Sequence, residues 1–167
     1  MLQNERPKAL ESDDALFTTL AHLASAVSTV HSFMSKALDL EYIGCHHDLK
    51  PKNILFDGKT FILADFGLSR FTDAKESSKA QFEAGEGHYL APECEDYDKE
   101  LEKFEISRPS DIWSFGCILA EVLTFMIRGC SAVAEFKKMR AIKIGTYRTY
   151  TFHGGCFKPN PTVEIVA

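Results

Sequence analysis

No CxxC spacing occurs anywhere in the chain, and its five cysteines (Cys45, Cys94, Cys117, Cys130 and Cys156) are odd in number. That argues against a disulfide framework and for reduced thiols in an intracellular protein. Positive charge is in deficit: 19 Lys and Arg stand against 24 Asp and Glu, a net charge of −5. This argues against a general nucleic-acid or membrane-surface binder. The N-terminus, MLQNERPKALESDD, has no apolar leader. Internal repeats and low-complexity tracts are absent. The 167 residues make one domain by length, and a hydrophobic share of 45% is ordinary enough to supply a packed core.

The chemistry-bearing residues gather in one stretch. It runs HHDLKPKN from His46 to Asn53, then ILFDGKTFILA, then Asp65-Phe66-Gly67. Asp48 and Asn53 lie on a loop, because Pro51 between them has no backbone donor. Ile54 to Phe56 and Phe61 to Ala64 are short apolar runs around an Asp57-Gly58 turn signal, which predicts a β-hairpin. In an antiparallel hairpin the start of one strand lies beside the end of the other. Asn53 and Asp65 should therefore arrive together at the open end, with Asp48 just upstream and Lys50 beside them. Such hard oxygen donors suit magnesium, which uses one or two protein groups plus substrate phosphates. His46, His47 and Asp48 are a poor metal set on their own, since adjacent side chains do not converge on one ion and no spaced partner completes them.

Either side of that stretch the pattern is helical. Ser12 or Asp13 can cap a helix beginning near Asp14. Leu16, Leu20, Leu23, Val27, Val30 and Met34 form one apolar stripe, a core helix rather than a coiled coil of this length. Leu38, Leu40, Tyr42 and Ile43 should pack the connection to Cys45 on the body. Cys94 to Ser107 is acidic, with Glu95, Asp96, Asp98, Glu100, Glu102 and Glu105, and reads as a solvated face or a site for a basic segment. Ser110 is a good cap for a helix with Asp111 at its positive end. Ile112 to Ile127 is apolar nearly all round, which predicts burial. Asp111, Glu121 and Arg128 leave too short an uncharged run for a membrane span. Trp113 reads as core, and Gly129 can end the helix. Ser131 to Ile144 predicts an amphipathic helix whose outer face carries Lys137, Lys138, Arg140 and Lys143, a solvated face in preference to a site for an acidic partner. Tyr147 to Ala167 reads as irregular, and its apolar ending suggests a chain cut short of a further helix.

The HHDLKPKN loop, the hairpin, DFG, Ala91-Pro92-Glu93 and DIWSFG from Asp111 occur in an order that resembles eukaryotic protein kinases. The resemblance covers roughly residues 14 to 128. It implies a mainly α fold with a small β-hairpin, a protein-kinase-like C-lobe that is incomplete. Residues 1–13 would be a linker or frayed end, 14–128 the C-lobe from catalytic loop to central helix, and 129–167 a partial later segment. Asp48 would accept the substrate hydroxyl proton, and Lys50 would lie near the transferred phosphate. Asn53 and Asp65 would hold Mg2+ and, with Phe66 and Gly67, face ATP. His46, Glu93 and Asp111 would give structural support, Asp111 by bonding the catalytic-loop backbone. Lys50 within DLKP implies serine/threonine targets.

The segment from Gly67 to Glu93 would be the activation segment. Its middle is polar and aperiodic, a loop with Thr72, Ser77 and Ser78 as phosphate acceptors or plain solvated hydroxyls. Two positions depart from the family. His47 stands where arginine is usual, which undercuts a phosphate-dependent switch. Glu86 replaces the usual threonine, and its carboxylate would repel Asp48. No glycine-rich loop and no VAIK-like lysine stand upstream of Asp48, so the N-lobe would be missing. Two functions follow: a serine/threonine protein kinase acting with ATP and Mg2+ on a protein substrate, inactive as this chain alone, or a pseudokinase-like module that binds a partner protein. A small-molecule phosphotransferase shares the HxD…N…D order but not DLKP, DFG and APE together. No nucleic-acid or membrane partner is implied, the location would be cytoplasmic or nuclear, and exposed apolar surface would favour self-association.

Overall fold

A computed structural model of the chain describes residues 6–37, 39–73, 87–94, 108–154 and 160. Helix α1 spans Asp13–His31. Ser12 is its cap, its hydroxyl accepting from the Ala15 amide at 3.1 Å, and Asp13 and Asp14 lie in the first turn, where the helix dipole favours them. The predicted stripe is buried through Leu16, Leu20, Leu23, Val27 and Val30, each worth about 1.5–3 kcal/mol. Met34 leaves it. The helix stops at His31, and Met34 sits 59% exposed on a strand.

The expected hairpin is present, but it has company. Strands β1 (Phe33–Ser35), β2 (Leu40–Cys45) and β5 (Arg70–Asp73) form an antiparallel sheet in the order β1-β2-β5. Strands β3 (Ile54–Phe56) and β4 (Phe61–Leu63) form the predicted hairpin, with Ile54 opposite Leu63. Its turn is closed by Asp57, whose Oδ1 accepts the Lys59 and Thr60 amides, each at 2.8 Å. The anticipated single small hairpin therefore understates the β content. These extra strands are three to six residues long, and β5 pairs with a segment that precedes the hairpin. Such non-local pairing leaves little periodic trace. Gly44 is required where β2 meets β5: a Cβ there would lie 2.5 Å from the Val30 carbonyl and 2.7 Å from the Phe71 ring.

Helix α2 spans Arg108–Arg128. It starts before Ser110, which is thus inside the first turn and not the cap. Gly129 ends it with φ 80° and donates its N–H to the Phe125 carbonyl at 2.8 Å. Burial of α2 is one-sided, contrary to its all-round apolar pattern. Cys117, Ile118, Val122 and Phe125 are buried, while Ile112 is 57%, Leu123 44% and Ile127 79% exposed. By length and composition α2 is the one helix among the described residues that passes for a membrane span. Its buried Asp111 and Glu121 are instead engaged by hydrogen bonds from other elements.

Helix α3 spans Cys130–Met139, shorter than the periodicity suggests. Ile142 and the residues after it turn into strand β6 (Ile142–Ile144), paired with β7 (Tyr147–Thr149) around Gly145 at φ 58°. Part of the segment read as irregular is thus a hairpin. Among the described residues two clusters of buried side chains result. The larger joins α1, Leu49, the β3–β4 hairpin and Ile118 and Val122 of α2. The smaller joins Cys117, Phe136 and Phe152, with Trp113 half-buried against it. Cys45 and Cys117 are buried free thiols; Cys156 lies outside the described residues.

Candidate active site

The site hangs from Asp111. This carboxylate is 1% exposed in the first turn of α2. Its Oδ2 accepts the His46 amide at 2.7 Å and its Oδ1 the His47 amide at 2.9 Å. His31, at the end of α1, contacts Oδ2 through Nε2 at 2.8 Å. Burial alone would raise the acid's pKa, but the bonds from His31, His46 and His47 outweigh it and hold it below the ordinary value. Three chain segments far apart in sequence are thereby tied at one point. His47 has φ 64°, a left-handed conformation unusual outside glycine, and its burial and the Asp111 bond hold it there. Burial also lowers its pKa, with Arg70 acting in the same sense and Asp111 against it. His47 is therefore no substitute for a fixed cation near pH 7.

His46 is fully buried. Its Nε2 lies 3.1 Å from the Ala64 carbonyl, and its Nδ1 accepts the Asp48 amide at 3.3 Å. That pair of partners requires the proton on Nε2. The ring packs on Phe66, with centroids 4.9 Å apart. One imidazole thus joins the loop to the Ala64-Asp65-Phe66 segment.

Asp48, Lys50 and Asn53 are in direct contact. Lys50 Nζ is 2.8 Å from Asp48 Oδ1 and 2.7 Å from Oδ2. Asn53 Nδ2 donates to the Asp48 carbonyl at 2.9 Å and to Asp48 Oδ2 at 2.8 Å. Both amide hydrogens of Asn53 are thus used, which leaves its Oδ1 as the oxygen available to a cation. Asn53 ends the short turn Pro51–Asn53, and its carbonyl accepts the Ala64 amide at 2.9 Å. The hairpin register therefore brings Asn53 beside the Ala64-Asp65 backbone. Asp65 is exposed, with φ 65°, and its Oδ1 faces the Gly67 amide at 3.4 Å. Phe66 is 45% exposed. No group of three or more His, Cys, Asp or Glu side chains suited to a metal occurs among the described residues. Two hard oxygens, from Asn53 and Asp65, fit magnesium only where substrate phosphates and water complete its shell.

A cavity of about 20 Å³ lies against this loop, walled by His47, Asp48 and Lys50 on one side and Gly87, Tyr89 and Ser114 on the other. It holds roughly one water. Ser114 fixes the far wall by donating to the Tyr89 carbonyl at 2.8 Å. A small hydroxyl-sized space beside a carboxylate and an ammonium suits proton abstraction from an alcohol.

A model of the protein kinase domain matches residues 4–148 of the chain. The chain belongs to the protein kinase domain family. It is 38% identical over 82 residues to the human serine/threonine-protein kinase Nek2, covering 48% of this chain and 17% of that protein. It is 34% identical over 107 residues to rat tyrosine-protein kinase JAK3, covering 60% of this chain and 9% of JAK3. A fission-yeast (Schizosaccharomyces pombe) negative regulator of sexual conjugation and meiosis is 29% identical over 153 residues, 80% of this chain and 28% of its own length. The chain thus spans less than a third of each of these relatives. Protein kinases use ATP and Mg2+ and act on protein substrates.

The kinase-like loop collects Asp48, Lys50, Asn53, His46 and Asp111 into one hydrogen-bonded unit, with Asp65, Phe66 and Gly67 at its edge. Glu93, expected to give support, sits in the short turn Pro92–Cys94 and makes no hydrogen bond or ion pair with a described residue. Thr72 lies on β5, paired opposite Ile43, so it belongs to a strand and not to a loop. Ser77, Ser78, Glu86 and the acidic run from Glu95 to Glu105 fall outside the described residues.

One network escaped the sequence pattern. Arg140, expected on an outer basic face, is 1% exposed. Its guanidinium stacks 3.7 Å from the Phe152 ring centroid and 4.3 Å from that of Phe136. Its Nη2 meets Glu121 Oε1 at 3.0 Å, and Tyr89 donates its hydroxyl to Glu121 Oε2 at 2.7 Å. Burial, then the Glu121 charge, push the Tyr89 hydroxyl's pKa well up. The wall of the cavity is thus tied through α2 to α3. The one available signal was Glu121, a carboxylate within an apolar helix, which demanded a partner.

Proposed function

We propose that this chain forms the C-lobe portion, residues 14–128 with 129–167 as its continuation, of an intracellular serine/threonine-type protein kinase that transfers phosphate from Mg-ATP to a protein hydroxyl. The observation that carries this reading is the contact of Asp48 with both Lys50 and Asn53, on a loop whose backbone is held by Asp111. In that role Asp48 takes the hydroxyl proton, while Lys50 balances its charge and faces the phosphate being transferred. Asn53 and Asp65 hold magnesium, which when bound neutralises the phosphate oxygens. Phe66 and Gly67 place Asp65, and His46 keeps that segment in register with the loop. Lys50 within DLKP supports serine and threonine as targets.

The same reading makes the 167 residues silent by themselves, because the glycine-rich loop and lysine that cover the phosphates are not in their sequence. The purified chain, incubated with labelled ATP, magnesium and generic protein substrates, should transfer nothing above background. Transfer that Asp48→Asn abolishes would show that the site is complete without those parts.

A second reading is a binding module without transfer activity. It is favoured by the exposed apolar side chains Ile112, Leu123 and Ile127 on α2 and Phe66 and Phe71 near the site. Apolar surface of that kind marks a partner interface or self-association. Concentration-dependent sedimentation together with binding of an apolar dye supports it; a dye-silent monomer removes it.

A further inference from the structure

In an acidic chain, one corner of the molecule is cationic. Lys143 of β6 and Arg148 of β7 are direct cross-strand partners, and both are exposed. Like charges placed opposite each other on an antiparallel pair repel. Tyr150 directly follows β7. Lys137 of α3 lies with its ammonium 5.6 Å from the Tyr150 ring centroid. Lys137 thus lies against the Tyr150 ring, and Lys143 and Arg148 stand opposite each other on the ribbon that leads to it. None of the three forms an ion pair with a described residue. This differs from Arg140 close by, whose charge is matched by Glu121.

The corner adjoins the candidate active site. Tyr150 also packs edge-on against His88, with ring centroids 5.4 Å apart. His88 stands between Gly87 and Tyr89, both of which wall the cavity beside Asp48. Burial lowers the pKa of His88, and Lys137 and Arg140 lower it further against an opposing effect of Glu121. Of the three corner cations, Lys137 is thus the one felt at His88, beside the cavity wall.

We propose that Lys137, Lys143 and Arg148 form a docking site for an acidic segment of the protein substrate, a few residues from the hydroxyl presented to Asp48. The inference rests on the phosphoryl-transfer reading for the place of the hydroxyl, and it adds the substrate class: serine- or threonine-bearing peptides rich in Asp and Glu. Carboxylates relieve the repulsion between Lys143 and Arg148.

The test is equilibrium binding without nucleotide. Two fluorescent serine peptides are titrated with the 167-residue chain, one flanked by Asp and Glu and the other with those residues replaced by Asn and Gln. The acidic peptide should bind more tightly and lose its advantage as salt screens the charges. Lys137→Glu, Lys143→Glu and Arg148→Glu together should weaken it by about tenfold, taking three exposed ion pairs at the ordinary strength of each. Should that variant melt early, the triple change to Met gives the same reading without repulsion. Equal affinity for the two peptides, or an unchanged affinity in the triple variant, overturns the proposal. So does acidic-peptide binding that appears only after the carboxylates between positions 95 and 105 are converted to amides, since the chain's own acidic run would then be the occupant. Absence of phosphate transfer leaves these binding results untouched, so the two readings fail separately.

Discussion

Replacing Asp111 by Asn tests the central anchor of the site. The amide keeps the shape of the carboxylate but offers one acceptor oxygen and one donor nitrogen. Three donors converge on the carboxylate, at 2.7, 2.9 and 2.8 Å. At least one of them, a main-chain N–H of His46 or His47 or the His31 ring, must then face an NH2 group. A hydrogen bond to a charged group contributes about 1.5–3 kcal/mol, and an orphaned buried donor costs about 1–3 kcal/mol. Some of this is returned, because the buried charge no longer has to be desolvated. The net loss should be about 3–5 kcal/mol, a large share of a domain's usual 5–15 kcal/mol. Urea unfolding measures it, and amide hydrogen exchange at His46 and His47 should lose protection beyond the global change. The pH profile gives a second check. The Asp111 pKa is lowered in the folded state, so the unfolded chain binds the extra proton. Its contribution is full above the unfolded value of about 4 and is lost as pH falls through the depressed folded value. Asp111→Asn should flatten that acid limb. A loss below about 1 kcal/mol with an unchanged acid limb would refute the idea that Asp111 holds the loop.

Arg140→Met should cost about 3–5 kcal/mol in urea unfolding, because it strands the Glu121 carboxylate in the interior. Adding Glu121→Gln should restore at least about 1 kcal/mol of that loss; strict additivity of the two changes would mean that the pair is not coupled. Millimolar ATP and magnesium should leave the melting temperature of the chain nearly unchanged, since the shift follows RT ln(1 + [L]/Kd) and the phosphates are not clamped. A clear ATP-dependent rise, lost in Asp65→Ala, would show a more complete nucleotide site than proposed.

Local signals in the sequence were enough for the parts of the site that are built locally. Pro51 and the Asp57-Gly58 turn define the loop and hairpin within a dozen residues, so Asp48, Lys50 and Asn53 meet through short-range geometry. The stripe on α1 was equally legible, because a helix repeats its buried face every three or four residues. Tertiary structure alone decided three things. β5 pairs with β2 across the whole hairpin, and a pairing between distant strands of four and six residues carries no periodic mark. The face of α2 that stays exposed depends on which neighbours reach it, whereas its sequence is apolar on nearly every side. Arg140 looks like a surface cation by spacing, yet two aromatic rings and Glu121 from other segments enclose it. A charge can be buried only where a partner waits, and distant chain segments supplied that partner when they folded together.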